Sequence, residues 1–67
     1  MGFDAMIFAG VLNSTLARMP YLKGAAWVLI NLRGLTQQET ATILGVSQSW
    51  AARLNEAARA DLKEALS

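Results

Sequence analysis

The sequence contains no cysteine and no histidine. Without cysteine it can form neither disulfides nor thiolate metal sites, and without histidine it lacks the usual general base and the commonest metal ligand. Its five acidic residues are scattered, so they provide neither a nucleophile–base pair nor a set at metal-ligand spacing. We therefore expect no catalysis, no metal and no cofactor.

Charge is also scarce, because 16% of the residues are charged against about 25% in typical proteins. Six Lys and Arg face five Asp and Glu, so the net charge is +1. A monomer with this balance does not attract nucleic acid or anionic membranes by electrostatics alone. By contrast, 54% of the 67 residues are hydrophobic, and a domain of this size has little interior. The composition predicts one domain, residues 1–67, that places apolar side chains in a dimer or partner interface.

Two apolar runs are too short or wrongly flanked for membrane insertion. Residues 5–12 follow Asp4 instead of a basic segment, and no basic residue precedes Arg18, which argues against a signal peptide. Residues 24–32 fall far short of the roughly 20 residues that span a bilayer. We expect a cytoplasmic protein with no membrane partner.

Helical periodicity occurs in four segments, and no strand pattern competes with it. Pro20 ends the first segment, and Gly34 can cap the second. The predicted helices cover residues 4–19, from 21 or 22 to 32, 37–44, and from 48 to 66. The sequence therefore predicts an all-α, compact four-helix domain.

The apolar positions of these segments define the expected core. The second helix is expected to turn Ala25, Val28, Leu29 and Leu32 inward, with Trp27 beside them. The third helix contributes Ala41 and Leu44, with Ile43 beside them, and the fourth contributes Ala51, Leu54, Ala58, Leu62 and Ala65 or Leu66. The apolar N-terminal helix, residues 1–19, is broad enough to have contacts on two sides. We expect the dimer or partner interface to include Phe3, Met6, Phe8, Leu12 and the partly outward Trp50.

The segment from residue 35 to residue 54 carries the strongest local signals. Thr36 and Glu39 form a T-x-x-E capping box, and Ala41 and Gly45 follow at a spacing of four. The small Ala41 permits a close helix crossing, and Gly45 permits a positive φ. Ser47 is a good N-cap for the next helix. These residues predict two helices joined by a short turn, residues 36–66.

This order resembles the helix-turn-helix of DNA-binding proteins. Residues 16–66 resemble region 4 of bacterial sigma factors and the small regulators related to it, including those of phages and mobile elements. The positions that carry the resemblance are Pro20, Gly34-Leu35-Thr36, Gln38-Glu39, Ala41 and Ile43-Leu44-Gly45-Val46-Ser47.

The resemblance implies a set of DNA-binding residues on the two helices. Gln48, Ser49 and Arg53 would face base edges, since Gln suits adenine and Arg suits guanine. Ser47 would cap the recognition helix and touch phosphate, while Thr36, Gln37 and Gln38 would present N–H groups and amides to phosphate. Arg33 and Lys23 would add contacts to the DNA backbone. The implied function is a sequence-specific transcriptional repressor that binds double-stranded DNA as a homodimer, with recognition helices roughly 34 Å apart.

The charge of the last helix keeps a second function open. Arg53, Arg59 and Lys63 alternate with Glu56, Asp61 and Glu64, so the helix is not strongly basic. Arg53 could pair with Glu56 on the surface. The two helices of the predicted helix-turn-helix could also serve only to pack a helical bundle. The alternative is a protein-binding inhibitor that uses the same scaffold to antagonise a host regulator or RNA polymerase.

Overall fold

The computed structural model describes residues 4–67, which form four helices and no strand. Helix α1 spans Ala5–Arg18, and α2 spans Tyr21–Trp27 and continues as a π-helical segment, Val28–Leu32. Helix α3 spans Gln37–Leu44 and α4 spans Gln48–Leu66. The all-α class and the four predicted helices are confirmed, with ends that agree to within one or two residues.

Capping and helix-breaking residues set the ends of the first two helices. The Asp4 carboxylate accepts hydrogen bonds from the N–H groups of Met6 and Ile7, at 3.0 and 3.2 Å, and so caps α1. Pro20 separates α1 from α2 because its ring is incompatible with a continuing helix. Gly34 follows the π-helical segment with φ of 75°, a conformation that glycine adopts at little cost.

Helix α4 is the element against which the other helices pack. The Lys23 Nζ atom lies 2.6 Å from Asp61 Oδ2, near the C-terminal end of α4. The Asn31 Nδ2 atom donates to Asn55 Oδ1 at 2.8 Å, between one and two turns earlier on α4. Since residue numbers rise along α2 as they fall along α4, the two helices are antiparallel.

The core of the described chain consists mainly of alanine. Its buried apolar residues are Ala26, Ala41, Ala51, Ala58 and Leu62. Many of the larger apolar side chains, including Trp27, Leu29, Leu44 and Leu54, are half-buried around these residues. Others are exposed, among them Met6, Ile7, Tyr21, Leu32, Ile43 and Trp50. A single chain, more than half of whose residues are hydrophobic, therefore leaves several large apolar side chains in contact with water.

Some apolar positions assigned to the core, or placed beside it, are exposed instead. Leu32 is 58% exposed and Ile43 is 60% exposed; the inward assignment of Leu32 was wrong. In the π-helical segment the Arg33 N–H bonds to the Val28 carbonyl, five residues back, so the wider turn displaces Leu32 from the face that a regular helix would give it. At the end of α4, where Ala65 or Leu66 was expected to face inward, both residues are exposed.

Two further predictions concern Phe3 and membrane insertion. Phe3, assigned to the interface, lies outside the described residues. Across residues 4–67, none of the helices combines the length and apolar character needed to cross a bilayer.

Asn31, which is exposed, and Asn55, which is buried, form a polar contact between the π-helical segment and α4. Asn55 is 6% exposed, between the buried alanines of α4. Asn31 Nδ2 donates both to Asn55 Oδ1 and to the Trp27 carbonyl, at 2.8 and 3.0 Å. This side chain therefore joins the start of the π-helical segment to α4 and fixes the register between them.

A double-mutant cycle tests that contact. We expect Asn31→Ala and Asn55→Ala each to destabilise the fold, with a coupling of about 1 kcal/mol between them because each variant already removes the shared hydrogen bond. Urea denaturation followed by circular dichroism measures all four proteins. Strictly additive effects would contradict a direct interaction between the two amides.

Thr40 offers a second test, because its hydroxyl is fully buried and has no hydrogen-bond partner within residues 4–67. We expect Thr40→Val to raise the free energy of unfolding by about 1 kcal/mol, since it removes an unsatisfied polar group at nearly constant shape. Thr42→Val is the matched control: Thr42 is exposed and its hydroxyl donates to the Gln38 carbonyl, so no gain is expected there. Destabilisation by Thr40→Val in urea would show that the hydroxyl is satisfied in the folded protein.

Candidate nucleic-acid interface

The predicted capping box is present at the start of α3. The Glu39 N–H donates to Thr36 Oγ1 at 3.0 Å, and the Thr36 N–H donates to Glu39 Oε1 at 2.9 Å. Within residues 4–67, the N–H groups of Gln37 and Gln38 have no acceptor, as is usual for the first turn of a helix. The start of α3 thus presents two N–H groups to an external acceptor, beside the carboxylate of Glu39.

The connection between α3 and α4 is a three-residue turn that begins at Gly45. Gly45 has φ of 72°, and the N–H groups of Gly45 and Val46 both bond to the Ala41 carbonyl. This left-handed termination is the usual role of glycine after a helix. The predicted positive φ at Gly45 is therefore confirmed, and α4 begins three residues later.

The first turn of α4 is exposed and polar. Ser47 caps the helix, since its Oγ atom accepts the Trp50 N–H at 3.1 Å, as predicted. The N–H groups of Gln48 and Ser49 have no acceptor in the described part of the chain. Both of these side chains are exposed, and the Ser49 hydroxyl lies 3.4 Å from that of Ser47. This helix start resembles that of α3, except that no carboxylate caps it.

Arg53 faces away from the core on the second turn of α4. It follows the fully buried Ala51 by two residues, which is about 200° around the helix axis. No acid within residues 4–67 forms an ion pair with Arg53. Glu56, the partner considered from the sequence, instead contacts Arg59 at 3.4 Å. The Arg53 guanidinium is therefore available to a ligand.

Other predicted residues are placed less favourably for DNA. Lys23 is committed to its ion pair with Asp61. Asp61 lies eight residues beyond Arg53, about 12 Å along α4, so Lys23 is distant from the polar start of that helix. Arg33 is exposed and stands three residues before the cap of α3. Of the two expected backbone contacts, Arg33 is the one that remains accessible.

The expected interface residues differ in exposure. Met6 is 86% exposed and Trp50 is 47% exposed, so both can meet a partner. Phe8 is 37% exposed and Leu12 is half-buried. The groove between α1 and α2, which Tyr21 borders, was not predicted from the sequence. The signal available there was an aromatic residue at the first helical position after Pro20.

The geometry of the turn predicts how substitutions at Gly45 behave. An added Cβ would meet no atom within 4 Å, so the cost comes from the positive φ alone. We expect Gly45→Ala to lower the free energy of unfolding by about 1–2 kcal/mol. Gly45→Asn, which tolerates this conformation better, should cost less. Equal stability of Gly45→Ala and the parent protein in urea would contradict the left-handed turn.

Comparison with known proteins supplies no relative on which an assignment could rest. The chain matches no family model, no curated protein and no solved structure.

Proposed function

We propose that the protein is a DNA-binding regulator in which α3 and α4 form a helix-turn-helix and the start of α4 enters the major groove. One observation carries this proposal: Gln48, Ser49 and Arg53 are exposed on the first two turns of α4, and Arg53 has no ion-pair partner within residues 4–67. The three-residue turn after α3 supports it, because that turn has the length and the glycine conformation of the motif.

Each of these side chains has a defined role in the proposed complex. Arg53 donates two hydrogen bonds to a guanine, and Gln48 forms the corresponding pair with an adenine. Ser49 contacts either a base edge or phosphate. The unpaired N–H groups at the starts of α3 and α4, including those of Gln37 and Gln38, bind phosphate oxygens, as helix N-termini commonly do.

The distribution of charge explains why the proposal includes a dimer. The net charge is +1, and Glu39 places a negative charge at the start of α3. Affinity for DNA comes largely from basic side chains that neutralise phosphates, so a single copy with so little positive charge would bind weakly. Two copies present two Arg53 side chains to a pseudo-palindromic site, with recognition helices about 34 Å apart. We propose that such a dimer acts in the cytoplasm as a repressor by occluding a promoter.

A second candidate is favoured by the exposed apolar residues near the same helices. Ile43 is 60% exposed beside an open depression of about 430 Å³ that Leu35 also borders, and Trp50 is 47% exposed. Aromatic residues are frequent among the energetically dominant residues of protein interfaces. The protein would then bind and inhibit a host regulator or RNA polymerase.

Binding to duplex DNA across a salt series separates the two candidates. We expect the logarithm of affinity to fall steeply as the logarithm of salt concentration rises, and Arg53→Ala to weaken binding about tenfold or more, since a bidentate contact contributes about 1–3 kcal/mol. Fluorescence anisotropy with a pool of selected duplexes measures both effects.

Arg59→Ala is the matched control for that measurement. Arg59 is exposed on the same helix, but its guanidinium is paired with Glu56. Its removal should change DNA affinity much less than removal of Arg53. A flat salt dependence with no selected duplex, or equal losses in the two variants, would contradict the proposed DNA-binding face and favour the protein partner.

A further inference from the structure

The surface of α1 that faces away from the core has no charge between its two ends. Asp4 caps the helix at its start and Arg18 lies in its last turn, and residues 5–17 contain no charged side chain. The two charged positions are about 21 Å apart. A second α1 lying antiparallel would bring Asp4 of each copy next to Arg18 of the other. The acidic start of each helix would then face the basic end of its partner.

The exposed side of α1 also has the spacing of a helix–helix seam. Met6, Gly10, Asn13 and Ala17 are all exposed and lie on the side opposite the buried Thr15. Their separations of four, three and four residues are those of paired helices. A Cβ added at Gly10 would meet no atom within 4 Å, so nothing within the described chain requires glycine there.

The sizes of these four residues fit one orientation. When two copies lie antiparallel, Met6 of one meets Ala17 of the other, and Asn13 meets Gly10. Each pairing then joins a larger side chain to a small one, as dense packing requires. A parallel arrangement would instead place glycine opposite glycine and methionine opposite methionine, which leaves gaps in one layer and crowding in another.

An apolar groove lies where the end of a second α1 would reach. This open groove has a volume of about 510 Å³ between α1 and α2, and its lining includes Leu16, Ala17, Tyr21, Ala25 and Val28. Tyr21 is 77% exposed at its edge. Met6, which is 86% exposed, would gain apolar contacts if it entered this groove in a second copy.

We propose that two copies of the chain associate through an antiparallel, two-fold pairing of α1, with Met6 of each copy in the α1–α2 groove of the other. The contact is isologous, because each copy supplies both Met6 and the groove. This interface provides the dimer on which the proposed repressor rests, but it involves no DNA-binding residue. Its test is therefore made without DNA, so that failure of this interface and failure of DNA binding are separate results.

Cysteine cross-linking tests the orientation, because the natural chain has no thiol. We expect a mixture of Met6→Cys and Ala17→Cys proteins to form a mixed disulfide dimer under oxidised glutathione, and neither protein alone to form one efficiently. Intact mass spectrometry identifies the products. Preferential dimerisation of Met6→Cys with itself would overturn the antiparallel arrangement, as would the absence of any mixed dimer.

Sedimentation velocity tests the interface without added thiols. The parent protein should sediment as a dimer at micromolar concentration, and Ala17→Glu should raise the dissociation constant about tenfold or more, because each copy would bury an unpaired carboxylate. Ala60→Glu is the matched control, an exposed alanine on α4 outside the proposed contact, and should leave the dimer unchanged. A parent mass equal to one chain, or equal weakening by both variants with helicity retained, would overturn the proposal.

Discussion

The fold depends on the close approach of α4 to its neighbours, which alanine makes possible. Ala51 and Ala58 on α4, Ala26 on α2 and Ala41 on α3 are almost completely buried. Side chains this small let helices lie near one another, but each buries little apolar area, and hydrophobic stabilisation scales with that area. The chain therefore gains a well-defined arrangement of helices from a core that contributes modest stabilisation.

Polar contacts at the same interface specify how the helices align with one another. The Asn31–Asn55 hydrogen bond lies between the alanine layers of α4, and the Lys23–Asp61 ion pair lies near the end of that helix. The buried Asn55 amide meets the Asn31 donor in one register only, because a shift of α2 along α4 would take that donor away from Asn55 Oδ1. Alanine surfaces alone would tolerate such a shift, so these contacts select one arrangement among several of similar apolar burial.

The local signals of the sequence were sufficient for the helix ends. Asp4, the Thr36–Glu39 pair, Gly45 and Ser47 each act within a few residues of chain, so their roles can be recognised without knowing the tertiary structure. The exposure of Leu32 could not be recognised in this way. A regular period of 3.6 residues placed it inward, whereas the π-helical segment at residues 28–32 has a wider turn that alters the phase. The Asn31–Asn55 contact joins residues 24 positions apart, and nothing in either local sequence indicates its partner.

The candidate site was predictable to the same extent. The exposure of residues on the first turns of α3 and α4 follows from helix periodicity and caps, and the structure places them accordingly. The charge partners did not follow, because Glu56 can reach either Arg53 or Arg59 at helical spacing. In the folded chain Glu56 contacts Arg59, which leaves Arg53 accessible beside the helix start.

The small core and the proposed dimer have one physical origin. Most of the fully buried apolar positions are alanines, whereas Met6, Ile7 and Tyr21 are on the surface. Burial of such residues between two copies would add buried apolar area that the single chain does not provide. Because the partner binds only the folded chain, association would stabilise the folded state. In the proposed dimer, folding and self-association are thus linked. The same association would bring two Arg53 side chains to one DNA site, which compensates for a net charge of +1 per chain.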